Sequence, residues 1–385
     1  MPHSATAWFL YPRRPGETDE AATLERDTLT LRDIAPHEAL VEPLYGCWGG
    51  NMTHALQRDP VDICKLRREA RVVLGNAAVV RVLEVGQALT GFRPGQLAML
   101  FAASEVDRFG YMEKALAYDA PGTMGCLATR MVVRAHELLA LPHGTRHELP
   151  RWAAFSGSSI TAWANWELAY GTFRLQVAAA ELPVPIVFGW GGGTTLAELD
   201  LARRQGCRTF QISSSEQRLE LIRQSGITPV NRRPFLDLSF DESSFVTQPE
   251  KRRAYAAAEA RFLREVDELT GSAGVNIFID YIGTPVVRAT IKALAREGVL
   301  ATAGWREGMA VSHLRSVACI ERHQHIHTHY ARYAQGEAAV AYAERDGWLP
   351  LVDAPVHDFD EIPEMARRCA AGEGGFYTVF RVNPE

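Results

Sequence analysis

Paired cysteines are missing. The six that occur (Cys47, Cys64, Cys126, Cys207, Cys319 and Cys369) are scattered singly, with neither a CxxC spacing nor the density of a secreted disulfide scaffold. A reducing, cytoplasmic setting is expected. No stretch approaches eighteen uninterrupted apolar residues, so no membrane-spanning helix is expected, and the apolar run Ala7 to Tyr11 is too short for a signal peptide. An excess of basic charge is also lacking. The 41 Lys and Arg stand against 46 Asp and Glu, a net charge of -5, which leaves no field to attract nucleic acid or anionic lipid. What is present is ample apolar content, 47% of 385 residues, enough for two domains and a large core.

From Ala39 to Leu100 short apolar runs (ALVEPLYG, ARVVLG, AAVVRVLEVG, QLAMLF) alternate with Gly, Pro and Asn, the pattern of strands joined by tight loops. Between Leu149 and Arg174, the spacing of Trp152, Phe155, Ile160, Trp163 and Trp166 predicts a connecting helix. After Pro183 strand-like and amphipathic segments alternate (VPIVFGWGGGTTLAELDLARRQGC, RTFQISSSEQRLELIRQSG, GVNIFIDYIG, VVRATIKALAREG). That rhythm predicts βαβ units and a parallel sheet. The charged stretch PEKRRAYAAAEARFLREVDEL interrupts it and reads as a surface helix with a solvated face, inserted between units. A final helix and strand are expected between Leu349 and Val382.

The strongest local signal runs from Ile186 to Ala197. A buried strand enters Gly189, Gly191, Gly192 and Gly193, followed by Thr194, Thr195 and a helix. Backbone without side chains can approach a pyrophosphate there, and helix N–H groups can face its charge. Gly189 is read as the tight turn and Gly191 as the close approach, with Thr194 replacing the third glycine of the GxGxxG fingerprint. At the end of the next strand, where a carboxylate would favour NADH, stand Ser213, Ser214 and Ser215, with Arg218 one turn on. Hydroxyls and a guanidinium tolerate a 2'-phosphate, so NADPH is the expected cofactor. The serines are equally ordinary helix caps, and both roles can coexist.

A β-rich first part, a dinucleotide fold and a short C-terminal return together resemble the medium-chain dehydrogenase/reductase superfamily. LRREARVVLGNAAVVRVLEVGQALTGFRPGQLAML is similar to its GHE strand and the segment after it. The resemblance implies an α/β protein of two parts. These are a GroES-like β-rich catalytic domain over 1–160 and 334–385, and a Rossmann domain with a doubly wound parallel sheet over 161–333. Where zinc alcohol dehydrogenases of the superfamily hold their metal, this chain carries Trp48, Asn76 with Ala77, and Ser158, so no metal is expected. The zinc-independent branch includes quinone reductases and enoyl-thioester reductases.

Within that branch RDPVDICKLRREARVVLG and THYARY (Thr328 to Tyr333) resemble an insertion and the SHFANY motif of crotonyl-CoA carboxylase/reductases. The positions of their CO2-holding Asn, Phe-Glu pair and His are here Gly49 (with Asn51 two residues on), Tyr118 with Asp119, and His329. The resemblance implies hydride transfer to the β-carbon of an enoyl thioester on CoA or an acyl carrier protein. His329, Asn51, Tyr118 and Asp119 are the expected catalytic residues, and Trp48, Gly49 and Gly50 line the substrate pocket.

Plainer roles stand beside each of these. His329 can brace backbone, Tyr118 and Asp119 can form a turn, Trp48 can be wall, and Cys47 can be inert packing. His323, His325, His327 and His329 alternate, which on a strand would place four imidazoles on one face, either as a metal site or as surface or interface histidines. Other functions remain open: a quinone or enone reductase, a reductive carboxylase, or an NADPH-binding protein without turnover. Relatives commonly form homodimers through the nucleotide-domain sheets, for which 311–327 would be the edge.

Overall fold

The computed structural model describes residues 3–14, 16, 21–304, 306–308, 310 and 315–385, with backbone alone at 317. It divides into two compact units, 1–160 with 330–385 and 161–329. The first begins with β1 (Ser4–Phe9), β2 (Glu25–Thr30) and β3 (Glu38–Cys47), then α1 (Gly50–Gln57) and α2 (Ile63–Arg67). It continues through β4 (Ala78–Val85), β5 (Leu97–Leu100), the hairpin β6 (Ala103–Val106) and β7 (Met112–Ala115), then β8 (Met131–Arg134) and β9 (Leu138–Ala140). The 28-residue helix α3 (Leu149–Gln176) carries the boundary between units within it.

The second unit contains β10 (Ile186–Trp190), α4 (Gly193–Arg204), β11 (Arg208–Ser213), α5 (Glu216–Gln224), β12 (Thr228–Asn231), α6 (Glu242–Thr247) and α7 (Pro249–Thr270). Then come β13 (Val275–Asp280), α8 (Val287–Ala293), β14 (Leu294–Thr302), α9 (Arg315–Glu321) and β15 (Gln324–His327). The chain returns to the first unit with α10 (Tyr333–Asp346), α11 (Ile362–Ala370) and β16 (Val379–Arg381).

In the first unit a curled antiparallel sheet runs β16-β3-β4-β5-β9, with β8 also paired to β3. Its apolar core joins Val41, Val80, Leu100 and Phe380 to Met52, Leu56 and Met365 of the flanking helices. In the second unit six parallel strands lie in the order β12-β11-β10-β13-β14-β15. Numbered within the unit this is 3-2-1-4-5-6, so the order reverses between β10 and β13 and opens a crevice at their carboxyl ends. Both strands are buried throughout, as expected where helices cover both faces. Among the described residues no helix is long and apolar enough to cross a membrane.

Two expectations need correction here. The charged stretch is no insertion: α7 is the crossover from β12 to β13. Tyr255, Ala258, Phe262 and Val266, three or four apart, are buried, and the Phe262 ring packs 4.9 Å from Trp190. Its charges occupy only the outer face of an amphipathic helix. The histidines do not share one strand face either. β15 covers only 324–327, so His323 precedes it and His329 follows it; His323 and His325 are half-buried, while His327 and His329 are exposed. β15 is the sheet's edge strand, and residues 311–314 of the expected edge segment lie outside the described residues.

Candidate active site

The end of β10 builds the turn. Gly191 adopts φ +145°, and a Cβ there would stand 2.2 Å from Thr195 Oγ1, so no side chain fits. Gly192 follows as the N-cap of α4 without any side-chain cap, and a Cβ on it would meet nothing within 4 Å. The start of α4 thus has no side-chain cap and leaves room beside Gly192, and a helix N-terminus of this kind suits the charge of a pyrophosphate. Gly189 is not the turn residue expected. It lies inside β10, where a Cβ would stand 2.5 Å from Thr195 Cγ2. The close helix-to-strand packing that the fingerprint assigns to its third glycine is made here by Thr195, fully buried with Oγ1 donating to Trp190 O at 3.1 Å, and not at Thr194, which is half-buried. Gly193 is the first residue of the helix.

Ser213 closes β11, Ser214 is exposed, and Ser215 caps α5, its Oγ accepting from Arg218 N at 3.4 Å. The capping role of the serines is thus realised, and the hydroxyl of Ser213 lies at the same strand end. Arg232, which the sequence reading missed, joins them: its backbone N donates to Ser213 O at 2.9 Å. Its guanidinium lies 5.8 Å over Trp190 and donates to Leu238 O, and burial holds it below the ordinary arginine range. The only sequence signal for it was an Arg immediately after the third strand.

Behind the turn lies a buried polar cluster that was also missed. Tyr281 Oη donates to Glu198 Oε2 at 2.5 Å, and Asn165 Nδ2 donates to Glu198 Oε1 at 3.0 Å and to Tyr281 Oη at 2.8 Å. Nothing in the chain order announces it, because α3, α4 and the segment after β13 supply one member each. Nearby, Asp280 accepts from Ile282 N, Gly283 N and Thr290 Oγ1, and Trp190 Nε1 donates to the same Thr290 hydroxyl.

In the first unit Gly49 caps α1, Gly50 opens it, and Asn51 follows, its Oδ1 lying 2.9 Å from where a Cβ on Gly49 would stand. Trp48 is buried, with Nε1 donating to Thr53 Oγ1 at 2.9 Å, so it forms wall. Asp119 Oδ1 accepts from Ala115 N at 2.6 Å and so organises the turn that carries Tyr118. The Tyr118 phenol is raised by burial and next by Asp119, and its carbonyl accepts from Arg67. The Arg67 side chain is itself fully buried, paired with Glu69 and donating to Thr123 O. Burial pushes the Cys47 thiol up to about 12, which makes it unreactive near neutrality. His329 is the last residue of the second unit and is exposed.

In this unit the chain next to Trp48 and next to Ser158 approaches Ala77. Cys47 N donates to Ala77 O at 2.9 Å, and a Cβ on Gly157 would stand 2.9 Å from Ala77 Cβ. The side chains at the positions matched to zinc ligands are an indole, an amide, a methyl group and a Ser158 hydroxyl that donates to Ala154 O at 2.6 Å. None is a thiolate, imidazole or carboxylate, so the donor set does not fit zinc. Among the described residues no three His, Cys, Asp or Glu side chains gather to hold a metal elsewhere.

A curled antiparallel β unit and a parallel sheet in 3-2-1-4-5-6 order are the two parts of the medium-chain dehydrogenase/reductase fold, and this chain has that fold. No protein-family profile matches it. Among solved structures it superposes on crotonyl-CoA carboxylase/reductase AntE in complex with NADP with a TM-score of 0.82, at 19% identity over 100% of this chain and 96% of that one. The 2-octenoyl-CoA carboxylase reductase CinF in complex with NADP and 2-octenoyl-CoA gives 0.82 at 18% identity, over 100% and 89%. An acryloyl-coenzyme A reductase of Metallosphaera sedula is 22% identical over 246 residues, so the match covers 62% of this chain and 61% of that relative.

Proposed function

We propose that this chain is a zinc-independent, NADPH-dependent oxidoreductase that reduces the activated double bond of an enoyl thioester, carried on coenzyme A or on an acyl carrier protein. The observation that carries the reading is the uncapped, glycine-lined start of α4 at the sheet's reversal point. It is supported by the likeness to enzymes solved with NADP and with an enoyl-CoA.

When bound, NADPH supplies the hydride that reaches the β-carbon of the thioester. Negative charge then develops on the thioester carbonyl oxygen, and the chain's part is to stabilise it and to deliver a proton to the α-carbon. The backbone and amide of the Gly49–Asn51 turn and the imidazole of His329 are the proposed donors to that oxygen. His329, Tyr118 and Asp119 are the proposed acids for the α-carbon. Trp48 contributes an apolar wall that excludes water. Ser213 and Arg218, with Arg232, are proposed to favour the 2'-phosphate of NADPH over the free hydroxyl of NADH. A homodimer paired along β15 is the proposed assembly.

The second reading, reductive carboxylation, is disfavoured by Gly49, which offers no amide where the resembling family holds CO2. Crotonyl-CoA and NADPH, assayed with and without bicarbonate, separate the two. Butyryl-CoA as the product under both conditions supports simple reduction, and ethylmalonyl-CoA with bicarbonate supports carboxylation. No oxidation of NADPH by any enoyl thioester, set against turnover of a free quinone or enone, overturns the thioester reading. Tight NADPH binding with no turnover on any of them would mark a nucleotide sensor.

A further inference from the structure

We propose that Glu198, acting through Tyr281 and Asn165, is a positioning residue for the dinucleotide turn, and that its loss of a proton loosens nucleotide binding. The inference rests on the nucleotide reading above and adds to it a residue and a pH dependence.

The argument is geometric. Tyr281 follows directly on β13 and Gly191 directly on β10, so the two flank the point where the strand order reverses. They are in contact: Tyr281 N donates to Trp190 O at 3.2 Å, and a Cβ on Gly191 would stand 3.3 Å from Tyr281 Cβ. The Tyr281 ring therefore backs the turn, and its position is set by where its hydroxyl is held. Two side chains hold it, Glu198 at 2.5 Å and Asn165 at 2.8 Å. Glu198 and Asn165 are both fully buried. Glu198 lies in the second turn of the same helix whose uncapped start is the proposed nucleotide site.

A carboxyl in this place must be neutral or be matched by a cation, and among the described residues no cation pairs with it. Among the described residues Tyr281 from the segment after β13 is the one titratable group against it, and Asn165 from α3 is its other partner. On its own helix Asp200 pairs with Arg203 and Arg204. On β11 the register partner of Gly189 is Gln211, which is neutral. Burial accordingly outweighs the two hydrogen bonds and pushes the carboxyl up to about 8. The buried Asn165 Oδ1 has no partner in the orientation described, and turning the amide over would offer it to the proton of a neutral Glu198.

Below that pH the cluster is uncharged and shares its protons internally. Above it a negative charge sits behind the turn that binds phosphates. That charge opposes the partial positive charge of the helix N-terminus and pulls on the Tyr281 hydroxyl.

The test is the dissociation constant of NADPH, measured by fluorescence titration between pH 7 and pH 10 on the full chain, for the wild type, Glu198→Gln and Tyr281→Phe. The wild type is expected to weaken at least threefold across that range, with a one-proton inflection. Glu198→Gln keeps the shape and removes the proton, so its affinity should be flat with pH and close to the wild-type value at pH 7. Tyr281→Phe should bind more weakly already at pH 7, because the ring has lost its tether. A wild-type profile without inflection, or an inflection that survives in Glu198→Gln, overturns the proposal while leaving the nucleotide reading intact. Absence of NADPH binding by the wild type at every pH overturns both.

Discussion

The methyl group of Thr195 occupies the space that any side chain at Gly189 would need, 2.5 Å from the position of its Cβ. The first turn of α4 can thus lie directly on β10, and this contact sets the height of the helix N-terminus over the crevice. Gly189→Ala should push the helix away, destabilise the unit by about 1–3 kcal/mol as overpacked sites do, and weaken NADPH binding in the same measurement. The double change Gly189→Ala with Thr195→Ala should restore most of the stability. Chemical denaturation alongside a nucleotide titration checks both.

Arg67 holds the loop that carries Tyr118 and Asp119. With its side chain fully buried, it donates to Tyr118 O and Thr123 O and pairs with Glu69. Arg67→Met takes the donor from Tyr118 O and Thr123 O, while the partly exposed Glu69 keeps its bond from Gly122 N, so it should cost about 1–3 kcal/mol. Proteolytic nicking between Ala115 and Thr123 should appear before global unfolding, readable by limited digestion and mass spectrometry.

Asp280 is raised to about 6, because burial outweighs its bonds from Gly283 N, Thr290 and Ile282 N. The folded state therefore holds a proton that the unfolded chain, with an ordinary aspartate near ~3.9, has released. Unfolding releases that proton between the two values, so this group's contribution to stability falls as pH rises from about 4 to about 6 and is constant beyond. Asp280→Asn should remove that part of the slope in a series of thermal melts. Thr290→Val should lower stability by about 1–3 kcal/mol, since it leaves the Trp190 indole N–H without an acceptor.

The strand end at Ser213, with Arg218 and Arg232, should decide between the two nicotinamide dinucleotides. Ser213→Asp places a carboxylate against the 2'-phosphate and should reverse the preference toward NADH, with a change in the ratio of kcat/KM values of about tenfold or more. Arg232→Ala should weaken NADPH more than NADH. Parallel steady-state assays with both nucleotides read the ratio, and an unchanged ratio in both variants would remove these residues from the specificity argument.

His329→Asn and Asn51→Ala should lower kcat with an enoyl thioester by about 10²–10³-fold, the range typical for losing a donor to a developing oxyanion. NADPH affinity should stay near that of the wild type in both. A variant that loses affinity and turnover together would instead point to a structural role.

The local signals were legible because they depend on neighbours in the chain. Strand alternation before Leu100, the long helix from Leu149 and the glycines from Gly191 into α4 are short-range patterns, and each forms the element expected of it. The order of the second unit's strands was legible in kind, since alternating strand and helix segments admit few topologies. Gly189 was misread because GxGxxG marks residue types and not their depths; only the register of β10 against α4 shows which glycine turns and which packs. The α7 stretch was misread because its many charges drew attention from its apolar residues, although Tyr255, Ala258, Phe262 and Val266 recur at helical spacing and Phe262 reaches Trp190.

What the sequence alone determined is the presence of two folding regimes and of a backbone able to approach a phosphate, since both follow from local conformational freedom and periodicity. What only the tertiary structure decided is which distant side chains share one environment. Residues 165, 198 and 281 are polar letters with no common spacing, and only the folding of α3, α4 and β13 around one point removes them from water together. Burial, hydrogen bonding and the resulting protonation state belong to that convergence and to no segment of the chain by itself.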